Sequence, residues 1–214
     1  MSYITIFENE KFIIIVKNPG IEFHGDGGII ELLRKDFPEI HGVHRLDKMT
    51  SGLMLFAKDK GTQSELSKLF QSKKVQKIYI AISDKKPNKK QGLVKGDLEK
   101  TRNGSYKITR NLLNPSTTKF KSFYSPEFSL RGFYLFPMTG KTHQLRVVLK
   151  SIGAPILGDI RYGGTHSDRM YLHAFSLKFE LKGELFEFEN YPELGDLYLD
   201  MKKSFEDYRD LEKL

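Results

Sequence analysis

The chain has 214 residues and a formal net charge of +8, with 39% hydrophobic and 29% charged residues. This balance allows a sizeable core and excludes a disordered chain, while the absence of cysteine excludes disulfides, cysteine nucleophiles and thiolate metal sites. The sequence pI of about 9.4 favours a polyanionic partner, most often nucleic acid. The first residues lack a cationic region followed by an apolar stretch, so we expect a cytoplasmic protein with no membrane partner.

Alternation and apolar runs predict strands, and helical spacing predicts the helices between them. The predicted strands cover 3–7, 12–16, 51–58, 75–82, 120–124, 128–136, 171–179 and 184–189. Helices are predicted at 29–37 with Asp26 as N-cap, after Asp59, at 142–152 with Thr142 as N-cap, and from Asp196 onward. The lysine-rich stretch 85–110 is predicted to be a loop with one or two short ribbons.

Hairpins dominate this order of elements, and strands outnumber helices. The pattern therefore favours an α+β fold with a mostly antiparallel mixed sheet and flanking helices. No linker or internal repeat is evident, so a single domain over 1–214 is expected.

Polar residues are concentrated at 41–53, directly before the predicted buried strand. Asp47 lies close to Arg45, and a neighbouring cation favours the charged form of a carboxyl group. Thr50 and Ser51 can bond to their own backbone. Local physics leaves two readings equally open, a functional carboxylate or a turn with a surface ion pair.

Three further segments have a mixed character. In 139–147, polar residues lie in the first turn of a predicted helix, where free N–H groups attract anions, and Arg146 could reach solvent or a buried carboxylate. Tyr79 in its strand is either a core residue or a platform on which a flipped base stacks. The glycines of 156–164 indicate tight turns and an architectural role.

Five segments occur in a specific order: His44-Arg45-Leu46-Asp47 with 50–53, then 77–81, 140–147, 155–164 and 172–174. In this order they resemble the RluA family of pseudouridine synthases, and the resemblance runs from residue 12 to residue 180. It implies that family's catalytic domain, with an active-site cleft across the sheet, acting on uridine in structured RNA. No S4-type RNA-binding domain is expected before it.

The resemblance also implies roles for single residues. Asp47 matches the catalytic aspartate, Arg146 the basic residue that pairs with it, and Tyr79 the tyrosine that stacks on the target uracil. Arg45 matches the arginine that holds the flipped nucleotide, and Leu145 the apolar wall of the pocket. The remaining expected substrate-binding residues are His44, Thr50, Lys141 and His143.

The expected reaction needs no cofactor and no metal. Ribosomal RNA is the expected substrate, followed by transfer RNA, and a monomer without an obligate protein partner is expected. Asn18-Pro19, Met49 and Lys141 depart from common family residues and bear on target choice. Two alternatives remain open: a non-catalytic RNA-binding or assembly factor, and a hydrolytic nucleoside glycosidase, although glycosidases usually use two carboxylates. RNA contact by the 85–95 lysines is also open.

Overall fold

The computed structural model describes residues 2–209. Its strands are β1 (Tyr3–Glu8), β2 (Phe12–Lys17), β3 (His41–Gly42), β4 (Ser51–Ala57), β5 (Gln76–Ser83), β6 (Gln91–Gly96), β7 (Leu98–Lys100), β8 (Tyr106–Ile108), β9 (Ser116–Ser125), β10 (Leu130–Pro137), β11 (Leu172–Leu181) and β12 (Glu184–Glu189). Its α-helices are α1 (Ile29–Arg34), α2 (Lys60–Gln71), α3 (Gln144–Ser151) and α4 (Asp196–Asp207). No helix within 2–209 is long and apolar enough to cross a membrane.

The chain divides into two compact units, each built from two separate stretches of sequence. Unit 1 comprises Met1–Lys77 and His173–Pro192, and unit 2 comprises Ile78–Leu172 and Glu193–Leu214. The single domain expected from the sequence stays a prediction.

Unit 1 is organised around the fully buried strands β2 and β4. β2 pairs antiparallel with β1 on one side and β4 on the other, and β11 lies parallel to the start of β4. The apolar runs of β2 and β4 give no solvent-facing alternation because side chains on both faces are covered. Leu177 and Phe179 of β11 complete the core together with Leu66 of α2.

Unit 2 contains β10 paired antiparallel with β5 and β9, and β6 paired with the other edge of β9. β7 and β8 form a separate two-stranded sheet. The terminal helix α4 is fixed to this unit by two tyrosines, since the Tyr198 hydroxyl donates to the Ile80 carbonyl at 3.2 Å and the Tyr134 hydroxyl donates to the Phe205 carbonyl at 2.7 Å.

The predicted α+β class with its mostly antiparallel sheet is confirmed, and so is the cap at Asp59, which accepts the Thr62 N–H at 2.8 Å. The short ribbon predicted within 85–110 is present as the β7–β8 pair, and the stretch is more ordered than expected because β6 also pairs with residues 116–121 of β9.

Two predicted caps are wrong. Gly28 holds the N-cap position of α1 instead of Asp26, and Glu31 reaches back to the Gly27 N–H at 2.7 Å. α3 begins at Gln144 rather than at Thr142, whose side chain is exposed, and the Gln144 side chain accepts the Lys141 N–H at 3.0 Å. In both helices a side chain inside the first turn replaces the expected cap.

Candidate active site

Asp47 lies in a tight turn between β3 and β4. The Thr50 N–H donates to the Asp47 carbonyl at 3.0 Å and closes the turn. Leu46 and Thr50 are buried, Asp47 is half-buried, and Lys48 and Met49 are exposed. The turn is therefore anchored on both sides of Asp47, at the edge between core and solvent.

A buried lysine, Lys17, stabilises the backbone of this turn. Lys17 at the end of β2 has no solvent exposure, and its ammonium donates to the carbonyls of Asn18, Ile21 and Lys48, each at 3.0 Å. The Gly20 N–H donates to the Lys48 carbonyl at 2.9 Å. A buried ammonium requires such partners, and here one of them belongs to the Asp47 turn. Sequence reasoning missed Lys17 because the apolar pattern of the strand ends one residue earlier.

A buried hydrogen-bond chain fixes the other end of the turn. The Asn190 carbonyl can only accept, so His173 Nε2 donates to it at 3.0 Å, and in the neutral ring Nδ1 accepts from the Ser51 hydroxyl, which lies at 2.7 Å. Both Ser51 and His173 are buried. Their hydrogen bonds therefore position the backbone of the turn, and Ser51 is not an exposed nucleophile.

Gly52 makes the close approach of β4 and β11 possible. Its φ is +116°, and a Cβ at this position would lie 2.4 Å from the Ala174 carbonyl oxygen. Only glycine tolerates both the conformation and the distance. The residue after Ser51 therefore has to be glycine if Ser51 is to meet His173.

His44 is held inside unit 1 as a neutral ring. Its Nε2 accepts the Leu55 N–H at 3.0 Å, and the ring stacks on Phe70 at a centroid distance of 4.7 Å. Burial, followed by the charge of Lys77, lowers the pKa of His44 to about 3. The substrate-binding role of His44 stays a prediction, as does that of its exposed neighbour Arg45.

Arg146 on α3 forms a buried ion pair within unit 2. Its Nε donates to Asp159 Oδ2 at 2.7 Å and its Nη2 donates to Asp159 Oδ1 at 2.8 Å. The guanidinium also lies 4.9 Å from the centre of the Tyr162 ring. Sequence reasoning missed Asp159 because the glycines around it indicated only turns. The sequence feature that could have identified Asp159 is its place in 155–164, one of the five ordered segments, as an acid with no other assigned role.

The expected Asp47–Arg146 pair stays a prediction. Asp47 belongs to unit 1, whereas Arg146 and the half-buried Tyr79 belong to unit 2. The structure adds one fact to this expectation: the Arg146 guanidinium already pairs with the carboxylate of Asp159.

The start of α3 is shaped by an unusual backbone conformation. His143 has a φ of +56° in the left-handed region, and its Nδ1 lies 2.8 Å from the Tyr162 hydroxyl. That hydroxyl accepts the Tyr106 N–H at 3.0 Å, so β8 is joined to the same point. Lys141 donates to the Asn114 carbonyl, and Leu145 is buried. Lys141, His143 and Leu145 thus surround the beginning of one helix.

Among residues 2–209, no cluster of three or more His, Cys, Asp or Glu side chains could hold a metal ion. The geometry of the described residues consists instead of one half-buried carboxylate on a braced turn, and one buried guanidinium paired with a second carboxylate.

Comparison with known proteins gives the context of these residues. The family model described as RNA pseudouridylate synthase matches residues 11–151. An uncharacterized RNA pseudouridine synthase of Haemophilus influenzae is 44% identical over 202 residues, which cover 91% of this chain and 90% of that protein.

Two further relatives carry more specific names. The ribosomal large subunit pseudouridine synthase C of Rickettsia bellii is 36% identical over 79% of this chain, but the match spans only 61% of that protein. The dual-specificity RNA pseudouridine synthase RluA of Vibrio vulnificus is 30% identical, with 97% of this chain and 93% of that protein covered.

The fold has close counterparts among solved structures. Human RNA pseudouridylate synthase domain containing 4 superposes with a TM-score of 0.76 at 25% identity, covering 96% of this chain and 92% of that one. The pseudouridine synthase-like fold expected from the sequence is confirmed. Together with the family match and the relatives, it shows that this chain belongs to the RluA family of RNA pseudouridine synthases.

Proposed function

We propose that Asp47 is the catalytic carboxylate with which this RNA pseudouridine synthase isomerises uridine in structured RNA. The observation that carries the proposal is the support given to one turn. Lys17, Thr50 and the Ser51–His173 pair all fix the backbone on either side of Asp47. A reacting carboxylate must be held within a fraction of an ångström of its target, and such bracing supplies that order.

The reaction breaks the bond from ribose C1′ to uracil N1, rotates the base and joins C1′ to C5. The proton on C5 is lost and N1 ends protonated, so atoms balance without an oxidant or reductant. Asp47 attacks C1′ or C6, or removes a ribose proton so that a glycal forms. All three routes need an ionised and oriented carboxylate.

Arg146 is proposed to orient Asp47 by an ion pair. The Asp159 carboxylate occupies Nε and one Nη of the guanidinium, which fixes the plane in which the other Nη points. Asp159 therefore acts through Arg146 as a positioning residue. In this proposal Asp47, Asp159 and Arg146 together carry a net charge of −1, so Asp47 can react as a carboxylate.

The uridine must leave its stack before it can react, at a cost of a few kcal/mol. Tyr79 and Leu145 are proposed to sandwich the flipped base, and exposed Arg45 to keep it out of the helix. Thr50, His44, Lys141 and His143 complete the proposed substrate-binding set.

Ribosomal RNA of the large subunit is the proposed target, because synthases of that name are among the relatives. Transfer RNA is a second candidate. The relative named dual-specificity matches this chain over 93% of its own length, and its name implies more than one target class. We further propose that the chain acts in the cytoplasm, as a monomer without an obligate protein partner. Light scattering of the purified protein tests whether it is a monomer.

The decisive test is Asp47→Asn with unmodified bacterial ribosomal and transfer RNA transcripts as substrates. We expect no pseudouridine above background, while RNA affinity stays within about threefold, because the change removes a charge without changing shape. Asp200→Asn, an exposed acid on α4, is the matched control and should match wild type. Near-normal turnover by the Asp47 variant would remove Asp47 from the chemistry.

The same assay separates the alternatives. A non-catalytic RNA-binding factor would bind the transcripts but form no pseudouridine with the wild-type protein. A nucleoside glycosidase would release free uracil, which chromatography detects.

A further inference from the structure

The net positive charge of this protein comes from one part of the chain. Residues 85–121 contain eleven Lys or Arg residues but only two Asp or Glu residues, a net charge of +9. The whole chain carries +8, so all other residues together carry −1. Nine of the eleven cations are exposed: Lys85, Lys86, Lys89, Lys90, Lys95, Lys100, Arg102, Lys107 and Arg110.

The two acids in this region are both engaged within it. Asp97 accepts the N–H groups of Leu113 and Asn114 at 3.1 and 3.0 Å, and Glu99 pairs with Lys107 at 3.6 Å. The nine exposed cations of this region therefore stand against a single exposed acid of its own, Glu99, an electrostatic pattern that suits a phosphate backbone.

Asp97 also organises the loop between β8 and β9. Its N–H donates to the Asn111 carbonyl and its carbonyl accepts the Thr109 N–H, both at 2.9 Å, in addition to the two bonds of its carboxylate. Four hydrogen bonds from one residue thus hold 109–114 in a fixed shape. At its far end, the Asn114 carbonyl accepts from Lys141, directly before α3 and Arg146.

The tip of this loop is apolar. The Leu113 side chain is 93% exposed and Leu112 is 57% exposed. Leu113 is the most exposed of the large hydrophobic residues described in 2–209. The loop tip therefore presents two adjacent apolar side chains in a region rich in exposed cations.

We infer that Leu113 is an apolar wedge that inserts between bases of the RNA substrate while the surrounding cations hold its phosphates. The inference rests on the proposed RNA substrate and deepens it by naming the contact. Proteins that unstack bases use such apolar side chains on basic surfaces. The tie from Asn114 to Lys141 places the wedge beside the helix that carries Arg146, within the same unit.

The test compares Leu113→Ala with Leu113→Phe and with Leu185→Ala as the matched control. Leu185 on β12 is likewise exposed, at 60%, and lies outside the cationic region. The probes are unmodified transcripts of bacterial large-subunit ribosomal RNA and of transfer RNA. Pseudouridine formation and the salt dependence of affinity are both measured.

Leu113→Ala should lower kcat/KM by about tenfold, near the low end of the range for an aromatic stacking partner, because alanine no longer fills the gap between bases. Leu113→Phe should retain activity within about threefold, because an aromatic ring still fills the gap between bases. The slope of affinity against salt should be unchanged for both variants, since no phosphate contact is lost. Lys89→Ala with Lys90→Ala should flatten that slope by about one to two.

Equal activities of the Leu113→Ala and Leu185→Ala proteins would overturn the inference. Leu113-dependent binding to vesicles of anionic phospholipid in preference to the transcripts would overturn it as well, because it would identify a lipid surface as the partner. If the wild-type protein forms no pseudouridine, the proposed function fails. Affinity for the transcripts then still decides the wedge, since Leu113→Ala should weaken it about fivefold or more.

Discussion

Replacement of Asp159 by Asn tests the buried ion pair of unit 2. The Asp159 side chain is 1% exposed and that of Arg146 is 10% exposed, so neither charge is screened by solvent. Asn keeps one acceptor for the guanidinium but removes the compensating charge and turns an N–H₂ group toward a cation.

The magnitude follows from the two hydrogen bonds at 2.7 and 2.8 Å. Hydrogen bonds to charged groups contribute about 1.5–3 kcal/mol each, and breaking a buried pair costs about 3–5 kcal/mol. Since Asn retains one acceptor, we expect a loss of about 3 kcal/mol in the free energy of unfolding. For a chain of this size this corresponds to a fall in Tm of about 6–12 °C.

Calorimetry and urea unfolding measure the change. Glu187→Gln is the matched control, because its pair with Lys178 has the same 2.7 Å distance but both side chains are more than a third exposed. Such surface pairs contribute at most about 1 kcal/mol. A cost for Asp159→Asn no larger than that of the control would refute the assignment of this pair to the interior. Reduced turnover with unchanged RNA affinity is expected in parallel, because Asp159 is proposed to act through Arg146.

Two further predictions concern unit 1. The folded protein protonates His44 only near pH 3, against 6.5 for the free side chain, so the unfolded state takes up more protons between these values. The free energy of unfolding should therefore fall by up to about 1.4 kcal/mol for each pH unit as the pH drops below 6.5. His44→Asn should flatten that dependence in urea titrations, with exposed His166→Asn as the control; identical slopes would contradict the neutral His44 ring that accepts the Leu55 N–H. Gly52→Ala should cost more than about 3 kcal/mol through its clash with Ala174. Gly183→Ala, with positive φ but open space, should cost only about 1 kcal/mol in the same denaturant assay, and equal costs would disprove the clash.

Sequence patterns predicted those parts of the fold that local physics determines. The buried strand at 51–58 and the Asp59 cap follow from an apolar run and one side chain, and both are present. The start of α3 was mispredicted because Gln144 reaches back across the turn and leaves His143 in the left-handed region. Thr142 has the preferred cap chemistry, but the tertiary bonds of Gln144 to β9 determine where the helix begins.

The site was predictable only through the ordered motifs. The local sequence around Asp47 is equally consistent with a functional carboxylate and with a turn that carries a surface ion pair. Only the resemblance to the RluA family singles out Asp47. Its structural supports have no local signature. Lys17 looks like the polar end of a strand, and Asp159 looks like a turn residue. Both are recognisable only when the residues around them are assembled, because burial is a property of the fold.

The Ser51–His173 contact joins residues 122 positions apart in the chain. During synthesis β4 therefore emerges long before β11, whose Leu177 and Phe179 complete the core around it. Loop closure over this span costs conformational entropy, and the part of the core that Leu177 and Phe179 cover stays exposed meanwhile. The nascent chain thus carries an exposed segment prone to aggregation until about residue 180 has left the ribosome. Assembly of the Asp47 turn is then a late event in folding, and chaperone binding should concentrate on β4.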